Sequence, residues 1–394
     1  MRRNLIDKVR QIFFRLRNFF MSCIMLSMKF AIDTFACDGG KSGFGSYLLN
    51  LTAKLPRLEG AEYMLFGPPL DRYTYSNDIP FADVRCGESM NAMRFWHNFY
   101  APGFYKRKKV SAVLYPAAAR LLPSSFEVPG AAVLHDSLSA LLAKAKFAHR
   151  MTLRGFERVQ KIIVPTNFIK NDLLRLGFDG KKIQVVRHGI DHNRFYQRPL
   201  EDEALTNLRP FAIKRPYMIY PSSVSGEGKK HIELIKAFEI FKKRTGAPHR
   251  LVLAGAEKAW TEQVRAAALA SSVSSDIFIT GFFPSEGFPI LLSGADACVF
   301  PSTQEGVGIP VVEAMASGVP VAAAAAGALP EICAGKAALF DSDNLEEMAC
   351  AMEKVLFDQK ARQNMISEGL LWSKKFDWEI CAKETVEILK GLSL

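Results

Sequence analysis

The chain has 394 residues, 49% hydrophobic and 23% charged, a globular composition that excludes a disordered or many-span membrane protein and predicts two or three domains. Its seven cysteines are scattered and never spaced as CxxC, so we expect neither disulfides nor a zinc site. We therefore expect the protein to reside in a reducing cytosol. The net charge is +11; residues 1–28 hold +5 of it, as six basic residues against Asp7. The rest is too dilute for a nucleic-acid binder but suits phosphate-bearing substrates or an anionic membrane surface.

The first predicted element is a basic amphipathic helix in an N-terminal arm, residues 1–27. If residues 5–20 are helical, one arc collects mostly apolar side chains and is flanked by cations that include Arg10 and Arg17. Such a helix is typical of a membrane interface, so we expect the arm to contact an anionic membrane surface. Two alternatives stay open: an arm docked on its own domain, or a protein that begins at Met28.

An apolar run over 19–28 follows basic residues, an order that also occurs in secretory signals. Ten residues are too few to span a bilayer, and Lys29 ends the run. Cleavage near Ala36 would also remove residues 28–34, which are needed as the first core strand. We therefore expect a cytoplasmic protein, peripheral on the inner face of the cell membrane.

From residue 28 onward, short apolar runs alternate with amphipathic helical stretches, the pattern of parallel sheets covered by helices on both faces. Residues 192–215 lack periodicity and form the predicted linker between two doubly wound domains. The economical arrangement is two such domains facing each other across a cleft. Strands are predicted at 28–34, 62–66, 111–115, 131–135, 161–165 and 183–187, then at 217–221, 250–254, 276–280, 296–300, 319–323 and 337–340; the last three helices are predicted at 344–357, 359–371 and 377–392.

The most informative motif lies between residues 298 and 331. An apolar strand runs into a loop with Gly306 and Gly308, and Pro310 marks the start of a helix. Unpaired amides at such a turn, with the helix dipole, favour phosphate. Glu305 and Glu313 bracket the turn, where carboxylates accept hydrogen bonds from sugar hydroxyls. The alternative is a plain strand–turn–helix with two solvated glutamates.

These residues resemble the nucleotide-sugar site of the family-4 retaining glycosyltransferases, which have the GT-B fold. The resemblance rests on the stretch EGVGIP at 305–310, EAMASGVPV at 313–321 and Leu329-Pro330-Glu331. It extends over about residues 28–390 and is strongest in the second half. It implies an N-terminal Rossmann-like acceptor domain at 28–198 and a nucleotide-sugar domain at 199–376. Residues 377–394 would form a helix that crosses back to the first domain.

The resemblance also implies roles for the donor-site residues. Glu305 would contact the transferred hexose and Glu313 would hold the ribose diol. The amides of Gly306, Val307, Gly308 and Ile309 would face the donor. Lys229, in a lysine–x–histidine start typical of mannosyltransferase-like members, is the expected diphosphate contact, with Lys230 the alternative. An arginine that many relatives carry upstream is absent here, and a solvated lysine pair at a helix start is the plain alternative.

In the first domain, the resemblance points to the glycine-rich loop at 38–45 and to His135. Gly43 and Gly45 would allow the backbone to approach the donor phosphate or the acceptor closely, although a simple tight turn explains them too. His135 follows a strand end and would position the transferred sugar and stabilise developing charge; a packed or capping histidine is the alternative. Asp136 would orient the imidazole or line the acceptor side.

The implied activity is hexose transfer from a nucleoside-diphosphate sugar, with retention at the anomeric carbon and with neither a cofactor nor a metal. GDP-mannose is the favoured donor, with UDP-glucose, UDP-galactose and UDP-N-acetylglucosamine left open. The expected acceptor is a glycan or a polyprenyl-diphosphate-linked glycan of a bacterial envelope. A sugar-nucleotide epimerase of the same architecture and a non-catalytic membrane-associated scaffold are the alternatives.

Overall fold

The computed structural model describes residues 28–55, 61–75, 77–143, 147–199, 213–284 and 286–393. The predicted arm, and residues 200–212 of the predicted linker, lie outside the described residues. The chain forms two compact units. Of the described residues, the first unit holds those from Met28 to Pro165, Lys170–Val186, and those from Trp378 to Ser393; the second holds Thr166–Ile169 and the described part of Arg187–Asp377.

A parallel sheet of seven strands forms the centre of the first unit, in the order β3-β2-β1-β4-β5-β6-β7. In the middle of the sheet Phe30 pairs with both Tyr63 and Ala112. Inner strands are buried along nearly their whole length, which explains their continuous apolar runs. The strands are β1 (Lys29–Asp33), β2 (Glu62–Gly67), β3 (Phe81–Asp83), β4 (Ala112–Tyr115), β5 (Gly130–Val133), β6 (Lys161–Val164) and β7 (Ile183–Val185).

Helices cover the first sheet and connect its strands. In chain order they are α1 (Gly43–Thr52), α2 (Met90–Phe99), α3 (Ala101–Lys108), α4 (Leu138–Ala143), α5 (Phe147–Arg158) and α6 (Asn167–Arg175). The last helix of the chain, which spans Trp378–Leu392, also belongs to this unit. Its buried face, including Cys381, Val386 and Leu389, joins the apolar core around Phe30 and Leu48.

The second unit contains a parallel sheet of six strands in the order β10-β9-β8-β11-β12-β13. Its strands are β8 (Tyr217–Pro221), β9 (Arg250–Ala254), β10 (Ile277–Gly281), β11 (Ala297–Phe300), β12 (Val321–Ala324) and β13 (Ala338–Phe340). Its helices are α7 (His231–Thr245), α8 (Thr261–Ala270), α9 (Phe288–Ser293), α10 (Ile309–Ala316), α11 (Leu329–Cys333), α12 (Leu345–Phe357) and α13 (Gln359–Ser373), so that the final helix of the chain is α14.

The predicted fold class, two Rossmann-like doubly wound parallel sheets, is confirmed. All twelve predicted strands are present, with ends within two residues of the predicted ones. Strand β3 is an additional strand that the apolar pattern did not predict. It is a three-residue edge strand of partly exposed residues, so it has no apolar run to mark it. Within the described ranges, every helix is too short or too polar to cross a bilayer.

Candidate functional site

A glycine-containing turn joins β11 to α10 in the second unit. Gly308 has a φ of +67° and is the N-cap of α10, which carries Pro310 in its first turn. A Cβ at Gly308 would lie 3.0 Å from the Leu329 side chain, so both the backbone conformation and the packing favour glycine. No side chain caps the start of this helix.

The amides of this turn are available for a ligand. Among the described residues, no protein acceptor is found for the backbone N–H groups of Gly306, Val307, Gly308 and Ile309. The turn is nevertheless held firmly, because Thr166 Oγ1 donates to the buried carbonyl of Gly306 at 3.0 Å. Free amides at a helix start, reinforced by the helix dipole, form a favourable place for an anion.

Glu305 and Lys229, 76 positions apart in the chain, meet beside this turn. Lys229 Nζ lies 2.5 Å from Glu305 Oε1, and the two side chains are 22% and 14% exposed. The two loops that carry them are joined by a hydrogen bond from Thr303 N to the carbonyl of Gly228, 2.9 Å long. The result is a partly buried ion pair within a preformed pair of loops.

Lys230 makes different contacts from its neighbour. It has a φ of +56° and immediately precedes α7. Its ammonium donates to Asp343 at 2.7 Å and to Glu233 at 3.3 Å, and the hydrogen bond to Asp343 is the main cause that raises its pKa. Of the two lysines, Lys229 is therefore the one in contact with Glu305.

Glu313 is the fifth residue of α10, and it is partly buried. Burial raises the pKa of its carboxyl group to about 7, and the positive charge of Arg194 opposes that rise. No described residue donates a hydrogen bond to this carboxyl group. A partly buried carboxylate without a donor is suited to hydroxyl groups supplied by a ligand.

His231, the histidine of the lysine–x–histidine start, is a packing residue in this structure. It is buried and its ring centroid lies 4.7 Å from that of Tyr220. Burial lowers its pKa to about 4, so the ring is neutral at physiological pH. The Tyr220 hydroxyl donates to the carbonyl of Lys229 at 2.8 Å, which helps to fix the lysine's backbone.

In the first unit, the glycine-rich loop leads into α1. Ser42 caps this helix by accepting a hydrogen bond from the amide of Gly45. A Cβ at Gly45 would lie 2.3 Å from the carbonyl oxygen of Cys37, so no side chain fits there. A Cβ at Gly43 would meet nothing within 4 Å. The space beside Gly43 is open, whereas Gly45 is required by the loop's own backbone.

His135 follows β5, and its Nε2 lies 2.8 Å from the carbonyl oxygen of Pro116. The rings of Phe44 and Tyr47 contact it edge-on, with centroids 5.1 and 4.8 Å away. Burial lowers its pKa to about 4, so the ring is neutral and carries its proton on Nε2. Asp136 is exposed. The contact to Phe44 places His135 next to the glycine-rich loop.

Two further features of this loop region have no clear signal in the sequence. The Arg120 guanidinium forms an ion pair with Asp38, donates to the carbonyl of Ala36 at 3.2 Å, and lies over the Phe44 ring. Both Ala36 and Asp38 have positive φ, which non-glycine residues rarely adopt. Arg120 thus stabilises an unusual backbone from 82 positions away, a contact that no local pattern indicates.

Glu331, from the Leu329-Pro330-Glu331 stretch, is a helix cap. Its carboxylate accepts hydrogen bonds from the amides of Asn167 and Phe168, at 2.9 and 3.0 Å, at the start of α6. Residues 166–169 belong to the second unit, as does Glu331. A carboxylate at a helix N-terminus is favourable because it satisfies free amides and opposes the helix dipole.

No group of three or more His, Cys, Asp or Glu side chains with metal-binding geometry occurs among the described residues. The absence of a metal from the reaction stays a prediction, as do the roles of the individual site residues.

Two family models match the chain. The model for Glycosyl transferases group 1 matches residues 207–372, and the model for Glycosyltransferase Family 4 matches residues 41–194. Together they cover most of both units, and the match includes Lys229, Glu305 and Glu313 in one model and His135 in the other.

Curated relatives are similar over parts of their length. The chain is 24% identical over 253 residues to O-antigen chain mannosyltransferase B of Escherichia coli, an alignment that covers 63% of this chain and 65% of that protein. It is 31% identical over 166 residues to the serotype-specific mannosyltransferase WbdA of Escherichia coli, which covers 41% of this chain and 20% of that protein. The chain therefore spans less than two thirds of either relative.

Solved structures share the fold. Anabaena Alr3699/HepE, determined in complex with UDP and glucose, aligns over 92% of this chain and 99% of its own with a TM-score of 0.72, at 19% sequence identity. Together with the two family models, this likeness identifies the two sheets as the Rossmann-like domains of the GT-B fold. The chain belongs to the family 4 glycosyltransferases.

Proposed function

We propose that the chain is a retaining glycosyltransferase that moves a hexose, with mannose favoured, from a nucleoside-diphosphate sugar to a glycan or lipid-linked acceptor. The observation that carries the proposal is the arrangement at the β11–α10 turn. Four free amides and the Lys229–Glu305 pair lie at one glycine-containing bend, and Glu313 follows one helical turn along α10. Amides and an ammonium are suited to a diphosphate, and the carboxylates to sugar hydroxyls.

In the proposed reaction, the bond between the anomeric carbon and the diphosphate oxygen breaks, and a bond from the acceptor oxygen to the same face of that carbon forms. The acceptor's proton passes to the leaving diphosphate. Lys229 and the amides of residues 306–309 stabilise the negative charge that develops on the diphosphate. Glu305 then has to release Lys229 in part, so that its carboxylate holds hexose hydroxyls while the ammonium turns to phosphate.

Glu313 and His135 are assigned binding roles. Glu313 accepts hydrogen bonds from the ribose diol, for which it is available because no described residue donates to it. His135 is neutral, with its Nε2 proton directed at Pro116, so we assign it the positioning of sugar hydroxyls. Neither residue has to act as a strong base, because the leaving diphosphate takes the proton.

Mannose is favoured as the transferred sugar because both relatives described above are mannosyltransferases by name, and because Lys229 and His231 form the lysine–x–histidine start. The proposed donor is then GDP-mannose. The Anabaena structure contains UDP and glucose, which keeps UDP-sugars as the competing donors. The proposed donor reaction needs neither a cofactor nor a metal, since Lys229 supplies the positive charge.

The proposed setting is the synthesis of a bacterial envelope polysaccharide, with the enzyme peripheral on the inner face of the cell membrane. One relative is an O-antigen chain enzyme by name. The arm of residues 1–27 has six basic residues and one acidic residue, a net charge of +5. Charge reversal at Arg10 and Arg17 should weaken sedimentation with anionic vesicles while donor binding is retained. Unchanged sedimentation would contradict the arm's role.

Thermal unfolding of the full chain in a panel of GDP-sugars and UDP-sugars tests donor and site together. A ligand that binds only the folded state raises the melting temperature, so the true donor should stabilise the wild-type protein. Glu305→Ala should lose that stabilisation, whereas Glu346→Ala, an exposed change in the same unit, should keep it. A panel in which no sugar nucleotide shifts the wild type would overturn the donor assignment.

Turnover is then measured with the sugar nucleotide that binds. Release of the nucleoside diphosphate that depends on an added mannan or lipid-linked glycan supports transfer, and the anomeric configuration of the product decides retention. Free epimer formed without acceptor would instead show an epimerase. Donor binding without turnover on any acceptor would point to a scaffold.

A further inference from the structure

An exposed aromatic cluster lies on α2 in the first unit, and we name it the aromatic stripe. It consists of Phe95, Phe99 and Tyr100, which are 54%, 69% and 61% exposed. The rings of Phe95 and Phe99, one helical turn apart, have centroids 4.7 Å from each other, and Tyr100 lies 5.9 Å from Phe95. Contiguous exposed aromatic surface is uncommon on soluble proteins and marks an interaction site.

The stripe is exposed although its helix is firmly anchored. On the inner side of α2, His97 is buried and its Nε2 lies 2.8 Å from the carboxylate of Asp33, while Trp96 packs on Phe35. Asn98 accepts hydrogen bonds from the amide and hydroxyl of Ser124. The aromatic rings therefore project from a fixed helix, and local unfolding does not explain their exposure.

Four consecutive cations follow the stripe, and we name them the basic tail: Lys106, Arg107, Lys108 and Lys109. Helix α3 begins where α2 ends: Tyr100 is both the C-cap of α2 and the N-cap of α3, and its carbonyl accepts a hydrogen bond from the amide of Phe104 at 3.1 Å. All four cations are exposed, and none forms an ion pair with any residue in the described part of the chain.

The end of α3 accounts for part of this charge, because cations are favourable in the last turn of a helix. Lys109, however, lies beyond the helix in a left-handed conformation, and Arg85 lines a shallow depression beside Phe95, Trp96 and Tyr100. Exposed aromatic rings with Arg85 beside them, followed along the chain by four exposed cations at the end of the next helix, match an anionic lipid surface, where rings enter the acyl boundary and cations meet headgroup phosphates.

We propose that the aromatic stripe and the basic tail form a docking surface for anionic lipid, separate from the N-terminal arm. The stripe supplies the apolar contact and the tail the electrostatic attraction. This surface is independent of donor chemistry, so vesicle binding is measured without any sugar nucleotide. Failure of the donor site and failure of the docking surface are therefore distinguishable.

The experiment measures the partition of the full chain between buffer and vesicles. Vesicles contain phosphatidylcholine alone or with about one third phosphatidylglycerol. Wild type should prefer the anionic vesicles, and the preference should weaken with salt. Phe95→Ser/Phe99→Ser should lower the partition coefficient at least about tenfold, or about 1.4 kcal/mol. Lys106→Glu/Lys108→Glu should remove the preference for anionic lipid.

Matched controls separate these effects from general changes of surface. Leu269→Ser removes a strongly exposed apolar side chain from the second unit, and Lys354→Glu/Lys360→Glu changes the net charge by the same amount. Both controls should bind vesicles like wild type, and all variants should keep the wild-type melting temperature. Independent membrane contacts contribute multiplying factors to the partition coefficient. The fold-change caused by the stripe variant can therefore be measured even if the arm also binds vesicles.

Three results would overturn the proposal: no vesicle binding by the wild type, wild-type binding by the stripe and tail variants, or equal losses in the controls. A concentration-dependent dimer that Phe95→Ser/Phe99→Ser abolishes, with vesicle binding unchanged, would assign the stripe to self-association instead.

Discussion

The two units each contain a strand, a glycine-containing loop and a helix, but the two helix starts are completed differently. In the first unit, Ser42 caps α1 and Gly45 lies against the loop's own backbone. In the second unit, α10 has Gly308 as an N-cap without a side chain, and four amides remain free. A side-chain cap satisfies one of the free amides at a helix start, as Ser42 does for Gly45, whereas a start without such a cap leaves all of them available to an anion.

The ion pairs beside the two loops also differ in what they do. Arg120 and Asp38 pair across the first loop and stabilise its left-handed backbone. In the second unit, the Lys229–Glu305 pair joins two loops, and both partners are groups that we propose to bind the nucleotide sugar. The first ion pair therefore supports a backbone conformation, and the second joins two groups assigned to the proposed donor site.

The largest expected effect distinguishes Lys229 from Lys230. Lys229→Ala should lower kcat/KM for sugar transfer by about 10²–10³-fold, because the developing charge on the leaving diphosphate loses its cation. Lys230→Ala loses only the contacts to Asp343, which is 74% exposed, and to Glu233, so activity should change little and stability by less than about 1 kcal/mol. Steady-state kinetics and urea unfolding of both variants check this. Equal losses of activity would remove the distinction between the two lysines.

Substitutions at Gly43 and Gly45 test which of the two glycines the first loop needs for its stability. Gly45→Ala should destabilise the protein by about 3 kcal/mol, because its Cβ would clash with the carbonyl of Cys37. Gly43→Ala should keep wild-type stability, since its Cβ has open space. If Gly43 admits a ligand's close approach, Gly43→Ala should also weaken donor or acceptor binding. Chemical denaturation and ligand titration measure the two quantities separately, and a Gly45→Ala variant of wild-type stability would contradict the reading of the loop.

The raised pKa of Glu313 predicts a pH dependence of stability. Its pKa is about 7 in the folded protein against 4.5 ordinarily, so folding favours the protonated form and this carboxyl contributes less stability as pH rises from about 4.5 to about 7. Glu313→Gln has no titrating carboxyl at this position and so does not lose this stability. Between pH 5 and pH 8 the free energy of unfolding of the variant, relative to that of wild type, should rise by about 2 kcal/mol; the figure uses about 1.4 kcal/mol per pKa unit with allowance for partial exposure.

Glu313→Asp keeps a titrating group and should retain the wild-type pH slope. Donor affinity should move the opposite way: ribose hydroxyls donate to the ionised carboxylate, so binding by the wild type should strengthen as pH rises through about 7. Glu313→Gln should bind weakly with a flat pH profile. Urea unfolding and calorimetric titration at several pH values provide both readouts, and parallel profiles for the wild type and Glu313→Gln would refute this assignment.

The smallest expected effect concerns the helix cap in the first unit. Ser42→Ala should destabilise by about 1 kcal/mol, because the amide of Gly45 loses its acceptor. Ser42→Asp, another good cap, should restore most of the loss. Both are measured by urea unfolding, and a Ser42→Ala variant as stable as wild type would mean that the hydrogen bond from Gly45 to Ser42 contributes nothing to stability.

Much of the fold could be predicted because its signals are local. Parallel strands buried on both faces appear as apolar runs, and Gly308 with Pro310 marks the start of α10 within three residues of chain. Strand β3 was missed because a short edge strand needs no apolar run. The candidate site was found as a set of residue types, but their pairings were not. Glu305 meets Lys229 across 76 positions and Glu331 caps α6 across 164, contacts that no local pattern contains.

The amino-acid sequence by itself determined the alternation of strands and helices, the position of the glycine-containing turns and the chemical groups around them, because periodicity and backbone preference act over a few residues. Tertiary structure alone decided which lysine meets Glu305, which glycine is indispensable and that the Glu313 carboxyl is raised in pKa. Those properties depend on distance, burial and the summed charges of groups that lie far apart along the chain and close together in the fold.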